Sequence, residues 1–135
     1  MNTELAITEN TDLYVPSEYS TIVVNDKETK KTVVNAMNAA ESLANHEGET
    51  LSIIGVMCKP GIRRARDKNG VDAPCTDTIL VGADGRAYFS QSEGVRNACD
   101  NFNAAGLFED GEPVDMKLTS TVLPSGNTRK TLVLV

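Results

Sequence analysis

The chain has no tryptophan, one histidine, three cysteines and six aromatic rings in 135 residues, and each shortage removes a class of chemistry. With His46 alone, a nucleophile activated by a general base has one candidate base. That residue stands in Asn45-His-Glu-Gly48 at the end of a predicted helix, where a charge interacting with the helix dipole is the simpler role. Cys58, Cys75 and Cys99 are odd in number and too far apart for a zinc ribbon, so neither a disulfide framework nor a metal site is expected, and all three read as reduced structural thiols. Long apolar runs are also missing. Stretches such as Ile53 to Met57 fall far short of the ~18 residues a membrane span needs, and no basic-then-apolar leader opens the chain. A soluble, intracellular protein without a membrane partner is expected.

Two further patterns are incomplete. Gly82-Ala-Asp-Gly85 lacks a following Gly-Lys-Ser/Thr and precedes a strand, so it is not a phosphate-cradling loop. Glu109, Asp110 and Glu112 cluster in a Gly-containing turn and read as solvated acids, not as an acid-base pair or an ion cage. The expectation is a protein that is not an enzyme, with no catalytic residues, no cofactor and no metal.

What the chain does have is a local reversal of charge. The formal net charge is -6, and residues 1–50 carry nine acids against Lys27, Lys30 and Lys31. Residues 51–70 then carry Lys59, Arg63, Arg64, Arg66 and Lys68 against Asp67 alone. From 71 to 115 the chain is acidic again, with only Arg86 and Arg96 interrupting. A protein that already repels its copies through negative charge gains no solubility from a basic burst, so capture of a polyanion is the first function to test. Solvated surface charge is the plainer alternative.

The expected elements place that burst. One domain is expected over residues 13–135, preceded by a loosely held arm at 1–12. Tyr19 to Val24 reads as a strand. Val33, Val34, Met37, Ala40 and Leu43 recur at helical spacing and predict an amphipathic helix from Lys30 to Asn45, stopped by Gly48. Leu51–Cys58 reads as a strand in which Gly55 marks a bulge or a close approach. Pro60-Gly61 and Asn69-Gly70 are turn signals, which make the basic stretch a loop between that strand and a second at Thr76 to Val81. Gly82-Ala-Asp-Gly85 turns into a third strand at Arg86 to Ser90, giving an antiparallel meander. Ser92 caps a short helix with Val95, Ala98, Cys99 and Phe102 on one face, ended by Gly106. Val114–Val122 and Thr128–Val135, joined by Pro124-Ser-Gly-Asn127, close the chain. The resulting fold class is mainly β with one or two helices, a five-stranded antiparallel barrel of the oligonucleotide-binding type, with a two-layer α+β arrangement as the alternative.

Within this frame Lys59, Arg63, Arg64, Arg66 and Lys68 are candidate phosphate contacts, since each neutralised phosphate releases condensed counterions. Tyr88 and Phe89 are adjacent on a strand and point to opposite faces. If Phe89 packs inward, Tyr88 stands outside beside Arg86 as a platform for a base; the reverse orientation stays open. Tyr14 and Tyr19 lie near the arm, where packing and stacking are equally served.

The segment Asp77-Thr-Ile-Leu-Val-Gly-Ala-Asp-Gly-Arg-Ala-Tyr-Phe-Ser-Gln-Ser-Glu-Gly-Val95 resembles the single-stranded DNA-binding proteins of small tailed phages with protein-primed replication. Its strand, Asp-Gly turn, strand with a central Tyr, and Ser-x-Gly-Val helix start follow that family, as do the Asn35-Ala-Met-Asn38 helix and the Leu51 to Met57 strand upstream. The resemblance spans about residues 30–135 in order of elements. It implies an oligonucleotide-binding barrel that coats displaced single strands during replication, in the cytoplasm of a bacterial host, with single-stranded DNA as ligand and replication proteins as further partners. By position, Tyr88 matches the family's stacking aromatic. Its other stacking tyrosines have no counterpart, because the loop that should carry them holds arginines and no ring. A second class of function also accounts for the basic loop: a small phage interaction or inhibitor protein that docks it on an acidic protein surface.

Overall fold

In a computed structural model, residues 15–22, 26–65 and 69–135 are described. The expected arm at 1–12, Tyr14, Arg66 and Lys68 lie outside the described residues. The order of elements is β1 (Tyr19–Ser20), α1 (Lys27–Asn38), β2 (Glu41–Ser42), a 3-10 turn (Leu43–His46), β3 (Leu51–Arg63), β4 (Ala73–Gly82), β5 (Ala87–Ser90), α2 (Glu93–Ala104), β6 (Val114–Val122) and β7 (Thr128–Leu134).

The strands form one seven-stranded sheet in the order β2-β5-β4-β3-β6-β7, with β1 beside β3. The expected mainly β class with one or two helices holds, and in place of the expected five-stranded barrel the strands form a curled, open sheet of seven. The meander β3-β4-β5 is antiparallel as expected, and so is the β6-β7 pair. β2 instead runs parallel to β5, placing Glu41 opposite Tyr88 and Ser42 opposite Phe89.

That short strand explains why the first helix is not the one predicted. Asp26 caps α1 by accepting the Thr29 N–H at 2.7 Å, so the helix begins at Lys27. It ends at Asn38 instead of Asn45, because the backbone of Glu41 and Ser42 is taken by β5, and the last apolar residue of the pattern, Leu43, is buried by a 3-10 turn. Gly48 follows at a positive φ of 85° and donates its N–H to the Leu118 carbonyl at 3.0 Å, which ties this crossing to β6.

The sheet has two covered faces. On the concave face Ile53, Val56, Leu80, Met116, Leu118 and Leu132 pack with Val95 and Cys99 of α2. Ser92 caps α2 by accepting the Val95 N–H, and a Cβ at Gly94 would collide with the Lys130 carbonyl of β7, so a glycine lets the helix seat this closely. On the convex face a smaller group, Ala36 of α1 with Ile79, Val81 and Ala87, is flanked by Ile54 and Met57. Between Ile53 and Gly55 the β3-β4 register shifts, a β-bulge, and a Cβ at Gly55 would lie 2.7 Å from the Ile22 side chain. Both readings of Gly55, bulge and close approach, therefore hold.

Candidate nucleic-acid interface

The basic stretch begins as strand and not as loop. β3 continues through Pro60-Gly61 to Arg63, and β4 starts at Ala73, with Lys59 opposite Asp77, Gly61 opposite Cys75 and Arg63 opposite Ala73. Pairing with β1 stops at Cys58 and pairing of β4 with β5 stops at Thr78. Residues 59–63 and 73–77 thus form a two-stranded ribbon that runs on beyond its neighbours. Pro60 lies where β3 has a partner on one side only, the position in which a strand tolerates a missing N–H. At Gly61 the Asp77 carboxylate occupies the space of a Cβ, 2.5 Å from where one would sit. Two turn-favouring residues are accommodated in strand by these local arrangements.

At the tip the Arg64 guanidinium meets Asp72 at 2.9 Å, and the other oxygen of Asp72 accepts the Ala65 N–H at 2.7 Å. The backbone bond, with the Arg64 charge second, holds the Asp72 carboxyl below its usual range. Arg63 is arranged otherwise. Its Nη2 donates to the Gln91 carbonyl at 2.6 Å, while the Gln91 amide donates to Asp77 at 2.8 Å and to the Ile62 carbonyl at 3.3 Å. Among the described residues neither Lys59 nor Arg63 is in an ion pair, and both are exposed.

Arg86 and Tyr88 lie apart from the ribbon, at the β2-β5 edge, with Tyr88 on the other face of the sheet. Of the adjacent aromatics it is Tyr88 that packs inward, 3% exposed, and Phe89 that stands outward, 44% exposed. Of the two orientations left open by the sequence, this is the one with Phe89 outward. Leu80 lies across from Tyr88 on the concave face, whereas Phe89 lies across from Ile79 on the convex one. The Tyr88 ring meets the His46 ring edge-on, with centroids 4.9 Å apart, and the Arg86 guanidinium is 5.8 Å from its centroid. Arg86 is already paired, holding Glu41 through Nη2 at 2.6 Å and Nε at 3.1 Å.

His46 completes this corner. Its Nε2 is 3.1 Å from Glu41 and its Nδ1 3.2 Å from Glu49. Bonding to Glu49, and then to Glu41, raises the imidazole above its ordinary value against the opposing effect of burial. Arg86, followed by His46, lowers Glu41. The histidine therefore answers to two carboxylates and not to a helix dipole. Beside it lies a cleft of about 450 Å³ bordered by Glu49, Ser52, Asp84, Arg86 and Tyr88, whose acids disfavour a phosphate.

Cys58, Cys75 and Cys99 are free and buried, and burial pushes all three thiols up, away from reactive thiolate. Among the described residues no group of three or more His, Cys, Asp or Glu is placed to hold a metal ion, and no helix is long and apolar enough to cross a membrane.

The structure thus brings Lys59, Arg63 and Arg64 together on one ribbon and separates them from Arg86 and Tyr88. Sequence reasoning missed Phe89 as the outward aromatic; strand alternation required one of the pair to face outward without saying which. It also left aside Lys27, Lys30 and Lys31, which with Val34 border a shallow apolar hollow on α1. A comparison with curated proteins and with solved structures finds no significant match. Against protein families, residues 15–132 match the phage single-stranded DNA-binding protein family.

Proposed function

Because the chain belongs to the phage single-stranded DNA-binding protein family, we propose that it coats single strands exposed during phage DNA replication, in the cytoplasm of the bacterial host, with little sequence preference. The family membership carries this reading. The ribbon supports its mechanism: Lys59, Arg63 and Arg64, with Arg66 and Lys68 next to them in sequence, contact successive phosphates and release counterions. Arg86 and Tyr88 take part secondarily, when a base entering the cleft draws Arg86 from Glu41 and reaches the edge of the Tyr88 ring. The curled sheet is assigned on this reading to the oligonucleotide-binding type, and replication proteins are further partners through the acidic surfaces.

The test is a titration with single-stranded and double-stranded oligonucleotides at several salt concentrations. Oligo-dT is expected to bind more tightly than duplex, with affinity falling steeply as salt rises. Replacing Arg63, Arg64 and Arg66 together by Ala should reduce the salt slope by up to about two, at roughly 0.7 per phosphate contact on a single strand. An unchanged slope removes the ribbon from the interface. No affinity for oligo-dT at low salt removes the function itself and favours docking of the ribbon on an acidic protein.

A further inference from the structure

We infer that the DNA strand runs over the convex, α1-bearing face of the sheet, and that Phe89 is the aromatic on which a base stacks there. The inference rests on the DNA-binding reading and specifies its side and its ring. The concave side of the ribbon's root is closed. Cys58, Thr76 and Thr78 are each at most 2% exposed there. The Ser17 N–H donates to the Thr76 hydroxyl at 2.9 Å, and the Tyr19 hydroxyl donates to Asp100 of α2 at 2.9 Å. A strand of nucleic acid entering on that side would have to displace both the segment carrying β1 and α2.

The convex side is covered by α1 over Ile79, Val81 and Ala87, but Phe89, Lys59 and Arg63 on that face are exposed. Register sets Met57, Ile79 and Phe89 in one row across three strands, with Lys59 and Asp77 in the next and Arg63 two residues beyond Gly61. Two strand spacings separate Phe89 from β3, about 10 Å, a gap that a lysine side chain and a nucleotide span together. Arg63 crosses β4 to the Gln91 carbonyl, two residues from Phe89, so the guanidinium and the ring border the same surface. Asp77, the acid on this face, is engaged by the Gln91 amide. Lys59 and Arg63 carry charge that no ion pair among the described residues neutralises, and α1 adds Lys27 and Lys30 on the same side. A large exposed ring on the same face as such cations matches a ligand that is apolar on its base faces and anionic along its backbone. An apolar protein surface would use the ring and leave the cations unanswered.

Three variants test it. Phe89→Trp introduces the chain's single tryptophan, and oligo-dT should quench its emission while affinity is kept. Phe89→Ala should weaken oligo-dT binding by about 5- to 150-fold, the range expected for one base-aromatic stack, with an unchanged salt slope. Phe89→Leu, which keeps apolar bulk but no π face, should weaken binding similarly. Circular dichroism on each variant checks the fold. If the wild-type chain binds oligo-dT while Phe89→Ala binds equally well and the tryptophan emission is unmoved, the inference is overturned and the DNA-binding function stands. A wild-type chain that binds no oligo-dT overturns the function and this inference with it.

Discussion

Two arginines of the molecule, Arg86 and Arg63, differ in what surrounds the guanidinium. At the corner of β2 and β5, Arg86 lies over the buried Tyr88 ring and is held by Glu41, while His46 lies between Glu41 and Glu49. On the ribbon, Arg63 reaches a neutral carbonyl near the exposed Phe89 ring. The first arrangement is internally satisfied: its cation has an anion and its ring has a core. The second has hydrogen bonding to fix the guanidinium in place but leaves its charge and the ring free for a ligand. Nearness of arginine and aromatic in sequence, as in Arg86-Ala-Tyr88, is therefore a poorer guide to a binding platform than the acids that the fold brings beside them.

The contrast is tested most severely at the two rings. Tyr88→Ala should cost about 3–5 kcal/mol in urea denaturation, as for other buried aromatics, and Phe89→Ala no more than about 0.5 kcal/mol. Equal costs would erase the distinction between core ring and surface ring. Next in size, the double change Lys59→Ala with Arg63→Ala should lower the salt slope of oligo-dT binding by up to about 1.4, whereas Arg86→Ala should leave it nearly unchanged. A larger loss from Arg86→Ala would reverse the assignment. The corner also admits a gain: Glu41→Gln removes the anion opposite Arg86 and should raise the slope by up to about 0.7. A slope that stays put would mean that Arg86 is out of reach of the strand even when freed.

The smallest effect concerns pH. His46 is raised in the folded state, so its contribution to stability is fully present below its unfolded value of about 6.5 and is lost as pH rises through the folded value. Glu41 is lowered, so its contribution is present above its unfolded value of about 4.3 and is lost as pH falls through its folded one. Thermal melting midpoints should accordingly show a shallow decline above about pH 6.5, and His46→Gln should flatten that decline. Persistence of the decline in His46→Gln would assign it to another group.

Much of the fold is legible where patterns are local. The Gly82-Ala-Asp-Gly85 turn, the Ser92 cap and the Pro124-Ser-Gly-Asn127 turn depend on backbone conformations and caps that nearby residues dictate, and each appears at the expected place. Non-local pairing decided the rest. The apolar spacing through Leu43 fits a helix, but pairing with β5 takes the chain out of helix before Leu43 is reached. Pro60-Gly61 favours a turn in isolation, yet ten paired positions with β4 carry it as strand. Strand length explains why a loop was expected where a ribbon exists. The site was half legible: clustered arginines announced an anion-binding element, and the choice between Tyr88 and Phe89 depended on which face of β5 meets α2. Because both faces of the sheet are covered by helices, neither residue's hydrophobicity reveals it.

The bulge before Gly55 has a consequence reaching to the end of β3. Upstream of it the odd-numbered residues Leu51 and Ile53 belong to the concave core; downstream the even-numbered Val56 and Cys58 do. One extra residue has changed the parity of the strand. Had the same residues alternated regularly through 53–55, Lys59 and Arg63 would lie on the face of Leu51 and Ile53, and Pro60 and Ile62 on the opposite one. The bulge, in an apolar segment with no charge of its own, thus decides which face of the ribbon carries the strand's cations.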